Sequence, residues 1–310
     1  MTERQIKDMA ASIRQRLHNN AEATGRPFQE VLQYFAMERF LYRLAQSVHA
    51  NKFVLKGALV FTAWRAPFSR PTKDIDLLAQ MGNRVDAILS VIRDICSQAV
   101  EPDGLVFDAD RIRGTAIKED ADYEGVRVTF VAYLQNAKVH MQLDMGFGDI
   151  LTPAATWTQY PTILDLAPPH VWSYGRETVI AEKFEAMIKL GLLNSRMKDF
   201  FDIWFLSQHF DFHGGILAEA ITKTLRHRGT AIAAVPPVAL TTAFASDPAK
   251  MAQWRGFLRK SRIDETPEDL RQVMDALATF LLPVVEAVQE EQGFAAHWTA
   301  RGPWQLARKD

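Results

Sequence analysis

The chain has 310 residues, 48% hydrophobic and 24% charged, with a formal net charge of −1. That composition suits a globular protein long enough for two domains and excludes a disordered chain. A single cysteine, Cys96, excludes a disulfide-stapled scaffold, and no stretch approaches the ~18 uninterrupted apolar residues of a membrane span. The N-terminal "MTERQIKDMA" lacks the apolar centre of a secretory signal, so the expected compartment is the cytoplasm, with no membrane partner. Charge is unevenly placed. From Glu101 to Glu124 there are eight acidic residues against three basic, and from Lys183 to Arg262 twelve basic against six acidic. A basic stretch of this kind is either a surface for an anionic partner or a solvated face.

In chain order, Ile6, Met9, Ile13 and Leu17 follow helical spacing up to the break at Gly25-Arg26-Pro27. Val31, Leu32, Phe35, Leu41, Leu44 and Val48 mark a second, more buried helix. "KFVL" from Lys52 predicts a strand, Ala58 to Trp64 a helix, the stretch bracketed by Pro67 and Pro71 a loop, and "DIDLLA" the next strand. Arg84 to Gln98 is helical by Val85, Ile88, Leu89 and Ile92. "GVRVTFVAYL" and "KVHMQLDM", separated by "QNA", predict a hairpin. Beyond Pro169 the character becomes helical: Thr178 to Leu190 closed by Gly191, then Arg196 to Gln208 capped by Asn194 or Ser195, and a long last helix through "LRQVMDALATFLLPVVEAVQEE". The expected fold class is α+β, with a mixed α+β N-terminal half (residues 1–170) and a mostly helical C-terminal half (171–310).

The chemistry concentrates in "KGALVFTAWRAPFSRPTKDIDLLAQ", from Lys56 to Gln80. In a strand alternate side chains share a side, so Asp74 and Asp76 face one way while Ile75 and Leu77 enter the core. Two carboxylates held together repel unless a cation lies between them. Oxygen ligands of this kind suit Mg²⁺ or Mn²⁺ together with substrate phosphates. Asp144 in "MQLDMGFGD" is the candidate third ligand, which would permit a metal-assisted in-line displacement. Gly57, ending a strand and opening a helix, would let a phosphate approach backbone N–H groups, with Arg70 and Lys73 as candidate phosphate partners. The alternative is a strand with one wet face. With 21 aspartates, about one Asp-x-Asp arises by chance, and "DAD" occurs at 108–110 and 120–122. Neither of those has a glycine turn before it or an apolar strand around it.

A strand ending in glycine, a helix, a basic loop and Asp-x-Asp on the next strand resembles the nucleotidyltransferase fold of the DNA polymerase β superfamily. "FVLKGALVFTAWRAPFSRPTKDIDLL", "QLDMGFGD" and "AEKFEAMIKLGLLNSRMKDFFDIW" together resemble the AbiEii/AbiGii toxin family, which includes the MenT toxins of toxin–antitoxin systems. The "RHRGT", "VPPVAL" and "QWRGFLRK" segments are also similar to that family. The resemblance implies a mixed-sheet catalytic core whose active site the helical half completes. It implies Mg²⁺- or Mn²⁺-dependent transfer of a nucleoside monophosphate from NTP to RNA, at the 3′ acceptor end of tRNA, releasing pyrophosphate, and a cognate antitoxin as partner. Asp74 and Asp76, with Asp144, would hold metal. Lys56, Gly57, Ala58 and Arg70 would meet the triphosphate, Lys183 would engage the nucleotide, and Asp199, with Asp202 as companion, would help organise the site. Gly57-Ala58 stands where the superfamily often has Gly-Ser or Gly-Gly, so a serine hydroxyl is absent and the backbone N–H groups remain.

The same fold could instead nucleotidylate a protein side chain or a small hydroxyl compound, and a catalytically silent binding protein is a third reading. Without the resemblance, Lys183 is a solvated lysine on a helix whose apolar face is Val179, Ile180, Phe184, Met187 and Ile188. Lys198 and Asp202, four apart, read as a surface ion pair. Asp199 beside Asp202 calls for a basic neighbour such as Arg196 or Lys183. "LRHRG" at 225–229 is the densest basic cluster and a candidate for tRNA phosphates. Trp64, Trp204, Trp254 and Phe257 read as packing, and Cys96 as core.

Overall fold

The computed structural model describes residues 3–67, 70–120, 123–232, 236–263 and 266–306. It divides into two compact units, one of residues 1–149 and 156–173, the other of residues 150–155 and 174–310.

The first unit opens with α1 (Glu3–Thr24) and α2 (Phe28–Gln46), separated at the predicted Gly-Arg-Pro break. Its strands are β1 (Phe53–Lys56), β2 (Ile75–Ala79), β3 (Leu105–Phe107), β4 (Arg113–Asp120), β5 (Tyr123–Leu134), β6 (Ala137–Phe147), β7 (Thr156–Gln159) and β8 (His170–Ser173), with short α3 (Leu59–Ala63) and α4 (Val85–Cys96) between them. They form one mixed sheet in the order β3-β5-β6-β2-β1-β8-β7, and β4 also pairs with β5. β2 lies parallel to β6 and antiparallel to β1, so the centre of the sheet joins segments far apart in sequence. The predicted hairpin is β5–β6, turning at Gln135 and Asn136.

Period-2 patterning fixes the faces. Phe53 and Leu55, Ile75, Leu77 and Ala79, Val126, Val128 and Phe130, and Met141, Leu143 and Met145 all enter one core together with Phe35, Phe40 and Leu44 of α2. The intervening residues, Lys56, Asp76, Arg127 and Asp144 among them, take the opposite face. α2 carries a buried ionic network into this core. Arg43 donates to both oxygens of Asp103 at 2.6 and 3.0 Å, Arg39 donates to Asp103 at 3.2 Å, and Glu38 accepts from the Ile163 N–H at 2.7 Å. Cys96 is buried, as expected.

The second unit is built from α5 (Arg176–Leu190), α6 (Met197–His209), α7 (Gly214–Arg228), α8 (Thr242–Ala245), α9 (Pro248–Ser261) and α10 (Leu270–Gln289). α10 is the one described helix long and apolar enough to cross a membrane. It buries Val273, Leu277, Phe280, Leu281 and Val284 within this unit.

Several local expectations need correction. Val48 lies beyond α2 and is 92% exposed, because the helix ends at Gln46 and Ser47 turns extended. α3 is shorter than Ala58 to Trp64 and spans five residues. The residue at the N-cap of α6 is Arg196, without a side-chain cap; the Asn194 side chain instead accepts from the Arg196 N–H at 2.8 Å. The C-terminal half is mostly helical as expected, and within it β9 (Phe212–His213), β10 (Ala296–Trp298) and β11 (Trp304–Leu306) add a small antiparallel sheet that the sequence reading did not include. The "DAD" at 120–122 falls partly outside the described residues.

Candidate active site

Strand register builds the site. Lys56 on β1 is opposite Asp76 on β2, Asp76 is opposite Asp144 on β6, and Asp144 is opposite Arg127 on β5. These four residues form a row across the sheet with charges in the order plus, minus, minus, plus, all on the face away from the core. Asp74 precedes β2 by one residue and joins the row's two carboxylates. One ligand oxygen from each of Asp74, Asp76 and Asp144 can be chosen so that all three lie within 4.8 Å of one another. Oxygens on opposite sides of an octahedral Mg²⁺ are about 4.2 Å apart. The cluster is therefore close to the size of one hard cation, and its all-oxygen donor set fits Mg²⁺ or Mn²⁺.

Asp74 and Asp144 each have a fixed support. Thr72 donates its hydroxyl to Asp74, and the Thr72 N–H donates to Tyr34 of α2 at 3.1 Å, which ties the loop before β2 to the core. Gln33 holds the same loop through the Lys73 carbonyl at 3.3 Å. Asp144 accepts a two-pronged contact from Arg127, Nε to Oδ1 and Nη2 to Oδ2, both at 2.7 Å, and two weaker ones from the Gln142 amide at 3.1 and 3.3 Å. The hydrogen bond to Asp144 comes first, and the fields of Asp144, Asp74 and Asp76 follow, in holding the Arg127 pKa above its ordinary value.

Asp76 sits hard against Gly57. Gly57 has φ +68°, and a Cβ added there would lie 1.9 Å from Asp76 Oδ2 and 2.7 Å from Asp76 Cβ. The glycine is thus required by the carboxylate beside it, a steric reason that spacing alone does not reveal. Lys56 points its ammonium to Asp149 at 2.7 Å. Arg70 and Lys73 flank Pro71 and Thr72 in the loop leading to β2, Lys73 exposed and Arg70 half-buried.

In the second unit, Lys183 of α5 meets Asp199 and Asp202 of α6 at 2.9 and 2.8 Å, and Arg196 Nε meets Asp199 at 2.6 Å. All four belong to one cluster whose carboxylates are buried. Burial opposes ionisation of Asp199, but Lys183 and then Arg196 outweigh it and hold its carboxyl below the usual range. Lys183 is 13% exposed, not a solvated lysine, and Asp202 is buried rather than on a surface face. "LRHRG" divides: Arg226 and His227 are exposed, while Arg228 is drawn to buried Glu185 at 3.0 Å. Of the aromatic residues read as packing, Trp204 and Trp254 are buried and Trp64 and Phe257 half-buried.

Arg127, Gln142, Asp149 and Thr72 escaped sequence reasoning. Arg127 had a usable signal. Counting seven residues outward from the closing pair Leu134–Ala137 of the hairpin reaches Arg127 and Asp144 together.

A family model described as "Nucleotidyl transferase AbiEii toxin, Type IV TA system" matches residues 39–276. Among solved structures, the chain is similar to a candidate nucleotidyltransferase from Helicobacter pylori, with 15% identity, a TM-score of 0.47, and coverage of 85% of this chain and 98% of that one. It is also similar to JHP933 from Helicobacter pylori, with 12% identity, a TM-score of 0.44, and coverage of 82% and 90%. No curated protein matches the sequence.

Proposed function

Because the chain belongs to the AbiEii family of nucleotidyl transferase toxins of type IV toxin–antitoxin systems, we propose that it transfers a nucleoside monophosphate from an NTP to the 3′ acceptor end of tRNA. In this reaction the acceptor hydroxyl gives up its proton to water and its oxygen forms a bond to the α-phosphorus, the bond from that phosphorus to the bridging oxygen breaks, and pyrophosphate leaves. The observation that carries the proposal is the Asp74–Asp76–Asp144 cluster, in which one oxygen from each carboxylate lies within 4.8 Å of the others. A bound Mg²⁺ or Mn²⁺ would make the acceptor hydroxyl a better nucleophile and stabilise charge on the leaving oxygens. The chain's own residues position the reactants. Asp74 and Asp76 hold the ion, with Asp144 as third ligand. Gly57 and the Ala58 amide, with Lys56 and Arg70, meet the triphosphate. Lys183, which the resemblance puts on the nucleotide, has its ammonium fixed by Asp199 and Asp202 within the second unit. The basic stretch from Lys183 to Arg262 favours a polyanionic acceptor, and a cytoplasmic site of action follows from that acceptor.

The test is incubation of the purified chain with total tRNA, Mg²⁺ and each labelled NTP in turn. Label at the tRNA 3′ end with at least one NTP is the expected result. Absence of RNA label with all four, or label appearing on protein instead, rules out tRNA as the acceptor.

A further inference from the structure

Asp144 holds a paradox for a metal ligand: its two oxygens are already engaged. Arg127 takes one lone pair on each at 2.7 Å, and Gln142 adds its amide to the same pair. A divalent ion drawing on Asp144 must compete with that fork, and its charge repels the guanidinium. We propose that Arg127 is the resident counter-cation of the carboxylate cluster, and that a divalent ion binds by taking Asp144 from it. Three carboxylates with one oxygen from each within 4.8 Å of the others need positive charge nearby in the metal-free protein, and Arg127 stands in register beside them. Binding the ion is then an exchange of cations at Asp144, so Arg127 weakens metal affinity while holding the cluster together without metal. This inference rests on the cluster being a metal site.

Mn²⁺ alone, without nucleotide, is titrated into the full chain and free ion is followed by its electron paramagnetic resonance signal. With 42% of the Arg127 side chain exposed, its field is screened and the expected effect is moderate. Arg127→Gln should bind Mn²⁺ about three- to tenfold more tightly than wild type. Arg127→Lys, which keeps the charge but cannot fork, should fall between them. Metal-free Arg127→Gln should melt below wild type and gain more from added Mn²⁺. Equal or weaker Mn²⁺ binding in the variants overturns the role of Arg127 while leaving the metal site intact. If Arg127→Gln does not fold, Arg127→Lys decides alone, by the same sign of change. A wild-type chain that binds no Mn²⁺ overturns both the exchange and the metal site beneath it.

Discussion

Gly57→Ala isolates the geometry of the carboxylate row without altering any charge. The new Cβ would lie 1.9 Å from Asp76 Oδ2 and 2.5 Å from its Cγ, against an ordinary contact of 3.4 Å or more. Rotating the Asp76 side chain cannot relieve this, because Asp76 Cβ itself is only 2.7 Å away. Either β1 and β2 separate locally or Asp76 shifts by roughly an ångström, and such a misplacement costs about a hundredfold in rate. The φ of +68° adds about 1–2 kcal/mol for any residue with a Cβ. Two measurements follow: label transfer to tRNA, and Mn²⁺ affinity of the purified variant. Both should fall by about a hundredfold or more, while thermal unfolding shows a folded chain with a lowered midpoint. Wild-type transfer and Mn²⁺ binding in Gly57→Ala would refute the steric reasoning, since they would mean that the Asp76 carboxylate does not have to stay where it is.

Asp76→Asn removes one of three crowded negative charges, so its metal-free melting temperature should equal or exceed wild type while Mn²⁺ binding and transfer drop at least about a hundredfold. A large loss of stability instead would show a structural carboxylate. Lys183→Met leaves Asp199 and Asp202 buried without their shared ammonium and should cost about 3–5 kcal/mol in denaturant titrations. A cost under about 1 kcal/mol would contradict the buried lock seen between α5 and α6. Glu38 titrates at about 7 because burial outweighs its hydrogen bond from Ile163 and the charge of Arg39. The folded protein therefore keeps this proton where the unfolded chain, near 4.5, has lost it, and stability should decline by roughly 3 kcal/mol at most between those pH values. Glu38→Gln should flatten that part of the profile, and an unchanged slope would exclude Glu38 as its source.

The elements that set the site were legible where a period and a local break coincide. The Gly-Arg-Pro break separated α1 from α2, and the alternation of Ile75, Asp76 and Leu77 already placed two aspartates away from the core. Asp144 was recoverable because a carboxylate in an apolar strand is costly without a partner. The C-terminal strands were not legible. β9 has two residues, and β10 and β11 three each, too short to show a period. β9 is held by pairing with β10 more than 80 residues away, His213 with His297, and β11 only by its short local pairing with β10. The reason for Gly57 was hidden likewise, since its constraint is the position of Asp76 across a strand pair.

Lys183 shows where a sequence match and a structural role must be separated. Its ammonium is placed by two buried carboxylates, so almost any substitution there unfolds or loosens α5 and α6, and lost activity alone would not distinguish support from nucleotide contact. The carboxylate cluster is different, because Asp74, Asp76 and Asp144 repel one another and removing the charge of Asp76 relieves that crowding. Of the two groups, only the carboxylate cluster can lose function while keeping or gaining stability. That contrast makes Asp76→Asn more decisive about chemistry than any change at Lys183 or Asp199.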